Sequence, residues 1–236
     1  MLVEKIIKIE GEEVYLAGGI YDDITTIISE IEKQNLCNCH LFFLGNLNIK
    51  STADLDDKFL PLYHILKKYN ICSYIIRGSN DEPSIWNNKF ECELRDHSLM
   101  RFVDERTRLY INDNKGLIVP AVSDDDKPKL PSDIKDFGEN RKNVDFVFGH
   151  GGPVLADFFK QDLELSEKYL KYGLFKDNFK ANQDEYKKIL HRYRPKRWYC
   201  SHYLIDKQTK FVWDNWSDDG IISLKMLAPC SLLRIA

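Results

Sequence analysis

Three short apolar runs, Val14 to Leu16, His40 to Gly45 and Ser73 to Gly78, alternate with two stretches of helical periodicity. No other feature constrains the chain as much, because a β-α-β-α-β order folds as a largely parallel sheet with its helices as crossovers. The first helix is predicted to begin at Asp22-Asp23, since an aspartate can accept from the free amides of a first turn. It carries Ile24, Ile27, Ile28 and Ile31, the i, i+3, i+4, i+7 positions of one buried face. Leu55 to Tyr69 repeats that periodicity. Ahead of this unit, Leu2 to Ile9 and Val14 to Leu16 flank Glu10-Gly11-Glu12, and an opening hairpin is expected there.

After Trp86 the pattern turns strand-rich, with runs at Arg101 to Ile111, Gly116 to Val122 and Asp145 to His150. The stretch SDDDKPKLPSD, crowded with Asp and Pro, reads as a surface loop. Helices are expected between Leu163 and Arg192, and then strands at Arg197 to Cys200, Lys210 to Trp216 and Ile221 to Leu227. The final SLLRIA reads as an edge strand. With no internal repeat, low-complexity tract or dividing linker, residues 1–236 are expected to form one domain. At 43% hydrophobic residues the chain can bury a sizeable core.

A net charge of -3 argues against a dedicated nucleic-acid coat, and no stretch approaches the ~18 apolar residues of a membrane span. MLVEKIIKIEGEE carries charges too often for a signal peptide, so a soluble, cytoplasmic protein without membrane association is expected. Cys72 and Cys200 lie in apolar runs and read as reduced core residues. Cys37-Asn38-Cys39-His40 could hold a metal but lacks a second ligand pair, and reads as a helix-to-strand connector. His40, His64 and His97 stand isolated and receive no assignment.

The informative feature is the set of loops that leave five of the strands. These strands end in Gly18-Gly19-Ile20-Tyr21, Gly45-Asn46-Leu47-Asn48, Gly78-Ser79-Asn80-Asp81, Gly149-His150-Gly151-Gly152 and Ser201-His202-Tyr203. In α/β sheets such loops gather at the carboxyl edge, where ligands bind. In order and spacing these segments resemble the motifs of the calcineurin-like metallophosphoesterases, which read D-x-H, G-D-x-x-D, G-N-H-D, a lone H and G-H-x-H. The likeness runs from about Val14 to Leu227. IIRGSNDEP resembles the family's RGNHD segment, AVSDDDKP a recurrent G-A-x-S-x-D loop, and RPKRWYCSHYLID the strand leading into G-H-x-H.

The resemblance implies an α/β sandwich of two mixed β-sheets flanked by helices, and it places the family's site on particular residues. The first motif's aspartate falls on Gly19 and its histidine on Tyr21. The bridging aspartate falls on Asn46, the ligating asparagine on Ser79 and the catalytic histidine on Asn80, while the motif's closing aspartate persists as Asp81. The lone histidine persists as His150. His202 keeps the first histidine of the last motif, and Leu204 replaces the second.

Two dications held close together need anionic ligands. Gly19, Tyr21 and Leu204 can supply none, so one metal position is lost. The other retains Asn46, Ser79, His150 and His202, all neutral donors, and could take at most one manganese or zinc ion. Asp22, Asp23, Asp81 and Asp206 are the carboxylates near enough in sequence to move in. Asparagine at position 80 removes the expected proton donor to a leaving group. The expectation is therefore a phosphoesterase-like pseudoenzyme without a required cofactor. Its cleft of Gly19, Tyr21, Asn46, Ser79, Asn80, Asp81, His150 and His202 would bind a small phosphorylated ligand, or the chain would bind a protein partner. The alternatives are a slow single-metal phosphodiesterase using Asn46, Ser79, His150 and His202, and an assembly protein whose former cleft Tyr21 and Leu204 fill. HRYRPKRWY, residues 191–199, mixes basic and aromatic residues as single-strand binders do. Its plainer reading is a helix end and turn leading into a strand.

Overall fold

The two strands that flank Glu10-Gly11-Glu12 belong to different sheets. The computed structural model describes residues 5–82, 84–85, 99–104, 107–121, 144–153, 178–201, 207–212 and 221–236. In it β1 (Lys5–Ile9) pairs in parallel with β6 (Thr107–Ile111), whereas β2 (Glu13–Ala17) pairs in parallel with β3 (Cys39–Phe43). The opening hairpin is thus overturned, because both strands find other partners. The turn itself docks on the loop after β6: Gly11 N–H donates to Asn112 Oδ1 at 2.9 Å and Asn112 N–H to Ile9 O at 3.0 Å. The open edge of β2 is taken by β12 (Leu232–Arg234), antiparallel, with Val14 N–H donating to Ala236 O at 2.9 Å. The edge strand expected from SLLRIA is this one.

β2, β3, β4 (Cys72–Ile76) and β5 (Met100–Val103) continue in parallel, so the smaller sheet runs β12-β2-β3-β4-β5. The larger sheet adds β7 (Asn114–Val119), β8 (Phe146–Gly149), β9 (Arg197–Cys200), β10 (Lys207–Val212) and β11 (Ile221–Met226) to β1 and β6. Its order is β1-β6-β7-β8-β9-β11-β10, antiparallel at β6/β7 and β10/β11 and parallel elsewhere. The single strand read from Arg101 to Ile111 is two strands in two sheets. Between them Thr107 N–H donates to Asp104 O at 3.0 Å, and Asp104 N–H to Thr107 Oγ1 at 3.3 Å, which ties the two strand ends together.

The sheets face each other across one apolar layer, in which Leu16, Phe42 and Tyr74 meet Leu109, Ile118 and Phe148. A second layer covers the outer face of the smaller sheet. Here α1 (Ile24–Lys33) buries Ile24, Ile27 and Ile31, and Asp23 caps it by accepting from Thr26 N at 3.1 Å. Each such isoleucine contributes about 1.5–3 kcal/mol by leaving water. The helical stretch 55–69 divides into α2 (Thr52–Asp57) and α3 (Leu60–Lys68). α3 starts afresh because Pro61 fits a first turn but not a helix interior. On the outer face of the larger sheet lies α4 (Asn178–Tyr193), whose Tyr186 meets the Trp198 ring edge-on at 5.7 Å.

The architecture is α/β, with two mixed sheets face to face and helices outside. The loop SDDDKPKLPSD and the helical reading of 163–177 fall outside the described residues. No helix among the described residues is long and apolar enough to cross a membrane.

Candidate functional site

Parallel pairing sets β2, β3 and β4 to finish at one edge of the smaller sheet, and β8 and β9 at one edge of the larger. The loops leaving them touch. Tyr21 N–H donates to Asn46 O at 2.9 Å, and the Asn46 amide returns a hydrogen bond to the Tyr21 hydroxyl at 2.8 Å. Both residues have positive φ, 50° and 53°. That conformation is costly for an aromatic residue, and the two-point clasp holds it in place.

Asn46 is 1% exposed. Its side-chain oxygen accepts from Asn80 N–H at 3.1 Å and from Ser79 Oγ at 3.4 Å. Ser79 Oγ also lies 3.4 Å from His150 Nε2. On the other side of the buried ring, Nδ1 faces Leu44 O at 3.3 Å. A carbonyl only accepts, so this contact favours the proton on Nδ1 and leaves Nε2 an acceptor that competes with Asn46 Oδ1 for the single Ser79 hydroxyl proton. Leu44 O takes a second hydrogen bond from Ser201 Oγ at 2.8 Å, and Ser201 N–H donates to His150 O at 3.1 Å. A single polar chain thus runs Tyr21–Asn46–Ser79–His150–Leu44–Ser201 and ties the ends of the two sheets together.

The glycines leave no slack in this chain. Gly45 has φ +93°, and a Cβ there would meet His150 Nδ1 at 2.7 Å. At Gly19 a Cβ would lie 2.8 Å from the Tyr21 ring, 3.0 Å from Gly45 O and 3.2 Å from Asn46 Cβ. The space into which a carboxylate at position 19 would project is occupied by Tyr21 and Asn46.

The candidate carboxylates are engaged elsewhere wherever the structure describes them. Asp81 is 3% exposed and serves the backbone: Gly78 N–H donates to Oδ2 at 2.7 Å and Ile49 N–H to Oδ1 at 3.1 Å. Burial pushes its carboxyl above the usual carboxylate range, against the lowering pull of those amides and of His150. Asp23 caps α1. Asp22 pairs with Lys58 and accepts from Asn48. Asp206, His202 and Leu204 lie outside the described residues.

The side chains that converge here, among the described residues, do not supply the anionic set that a two-metal centre needs. Asn46 Oδ1, Ser79 Oγ and His150 Nε2 converge, but none brings a negative charge and each is engaged with another, while the Asp81 carboxylate is turned into the backbone. No group of three His, Cys, Asp or Glu side chains suited to a metal occurs among the described residues. At the connector, Cys37 is exposed and Cys39 buried, with burial pushing the Cys39 thiol up to about 12. The sequence reading missed the parts played by Ser201 and the Leu44 carbonyl. A serine directly after an apolar strand run was the only signal for the first, and nothing in sequence marks the second.

The aromatics of HRYRPKRWY point inward: Tyr193 and Trp198 are 1% and 0% exposed, and Tyr199 packs against the inter-sheet layer. Tyr193 and Trp198 are not displayed for stacking on bases. Cys200 is buried, as its apolar run suggests, whereas Cys72 is only half-buried at the rim of the same layer. Compared with protein-family models and with curated proteins, the chain finds no match.

Proposed function

We propose that this chain is a non-catalytic protein on a metallophosphoesterase-like scaffold, acting through binding of a partner protein. The observation that carries the reading is the Asn46 side chain, which gives its amide to Tyr21 and its oxygen to Ser79 and Asn80. At the position where the resemblance calls for a metal-bridging carboxylate stands a neutral amide already paired on both sides. Buried polar groups that satisfy one another stabilise a junction, and a metal must first break those bonds to bind. The strand ends therefore serve to lock the two sheets, and the scaffold presents its outer surfaces.

One observation favours a second reading, the slow single-metal phosphodiesterase. The Leu44 carbonyl orients His150 with Nε2 toward Ser79 and Asn46, as carbonyls behind metal-binding imidazoles do. The two readings part on metal content. Protein dialysed against manganese and zinc is expected to retain far less than one ion per chain and to leave bis(p-nitrophenyl) phosphate intact. One ion per chain, lost together with turnover in His150→Ala, would overturn the non-catalytic reading.

A further inference from the structure

The opposite edge of the smaller sheet carries a second cluster of chemistry-bearing side chains. Strand register sets His40 of β3 beside Cys72 of β4, and Tyr74 of β4 beside Arg101 of β5. Register partners project to the same face, so these four gather where the inter-sheet layer meets solvent. His40 pairs through Nε2 with Glu12 and lies 3.1 Å from the Tyr74 hydroxyl through Nδ1. The His40 and Tyr74 rings stack at 5.8 Å, and the Arg101 guanidinium sits over Tyr74 at 5.9 Å. Cys72 is a free thiol, half-buried beside both rings.

We propose that Cys72, with His40 and Glu12, forms a reactive thiol site that is oxidised by hydrogen peroxide. Glu12 is aligned to stabilise a protonated imidazole, which in turn favours a sulfur anion beside it. Tyr74 can donate its O–H to the same sulfur, and Arg101 adds positive charge. The electrostatics agree. Burial raises the Cys72 thiol, but hydrogen bonding to His40 and Tyr74 and the charge of Arg101 together bring it below the ordinary range. Burial likewise lowers His40, and the pull of Cys72 and Glu12 more than reverses it.

In the reaction the thiol proton rests on His40. The sulfur attacks one peroxide oxygen, an S–O bond forms as the O–O bond breaks, and sulfur is oxidised by two electrons to a sulfenic acid. The departing hydroxide takes the proton from His40 and leaves as water. Partial burial admits a small uncharged oxidant and shields the product from larger thiols.

The chain provides its own reference, because Cys37 is an exposed free thiol. Purified protein is exposed to hydrogen peroxide at pH 7, sulfenic acid is trapped with dimedone, and each cysteine is read by peptide mass spectrometry. Cys72 is expected to label about tenfold faster than Cys37, about tenfold slower in His40→Gln, and to a smaller degree slower in Glu12→Gln. Unfolding in His40→Gln would also bring Cys72 down to the rate of an ordinary thiol, so the native fold of each variant is checked by its urea midpoint, and Glu12→Gln, at an exposed carboxylate, carries the test where His40→Gln does not fold. Labelling of Cys72 no faster than Cys37, or undiminished in His40→Gln, overturns the proposal.

Discussion

Tyr21→Phe removes one oxygen and tests whether the strand-end junction is held by paired polar groups. The hydroxyl is the acceptor for the Asn46 amide at 2.8 Å, and Asn46 is 1% exposed. The backbone half of the clasp, Tyr21 N–H to Asn46 O, survives the change. A neutral hydrogen bond contributes about 0.5–1.5 kcal/mol net, and stranding a buried donor costs up to ~3 kcal/mol. Tyr21 is itself only half-buried, so water can reach part of the gap. The expected loss is therefore about 1 kcal/mol, which in a domain of this size lowers Tm by about 2–4 °C.

Urea unfolding should show a shifted midpoint with an unchanged slope, because no further surface is exposed. The decisive step is to repeat the change in an Asn46→Ala background, where the amide is already gone. There Tyr21→Phe should cost almost nothing, giving a coupling of about 1 kcal/mol between the two positions. Equal cost in both backgrounds would show that the hydroxyl acts independently of the Asn46 amide, and the junction argument would fail.

The same region yields two further outcomes. Gly78→Ala would place a Cβ 2.0 Å from Asn46 N and 2.3 Å from Asn46 Oδ1, contacts with a held backbone that cannot yield cheaply. The loss should exceed ~2 kcal/mol by chemical denaturation, and a near-neutral result would mean the loops are not locked. Asp81 gives a pH dependence of definite sign. Its folded carboxyl holds a proton to higher pH than the unfolded one because it is buried. Its stabilising contribution is thus present below the ordinary aspartate range and is lost as pH rises through the raised folded value. Measured by urea unfolding, the stability of the native chain relative to Asp81→Asn should fall as pH rises across that window. A rise would show that the backbone amides of Gly78 and Ile49 outweigh burial.

Much of the smaller sheet was legible because its signals are local. The spacing of Ile24, Ile27 and Ile31 and the capping Asp23 need only a few neighbouring residues, and all stand where the pattern puts them. The meeting of Tyr21, Asn46, Ser79 and His150 was legible from strand polarity, since parallel strands must end at a common edge. Sheet membership was not legible. Period-two patterning says that residues 5–9 and 101–111 are extended, but is silent on which neighbour takes their backbone groups. Thus β1 left its apparent hairpin partner for β6. The cluster at Cys72 was illegible for a related reason. His40 looks isolated in sequence, and only the pairing of β3 with β4 brings it beside Cys72.

The residues at the junction depend on one another, and this sets what a charged ligand placed there would cost. A carboxylate at position 19 needs the volume that the Tyr21 ring and Asn46 Cβ now fill. An aspartate at position 46 would exchange the amide that donates to Tyr21 for a second acceptor, while keeping Ser79 and Asn80 as donors. A histidine at position 21 would give up the hydroxyl to which that amide donates. Each such change alone therefore breaks a satisfied contact before any metal can compensate, and a buried amide or carboxylate left unpaired costs more than a hydrogen bond is worth. The present arrangement is a local optimum of its own. The strand ends of the two sheets are joined there by tyrosine, asparagine, serine and histidine bound to one another.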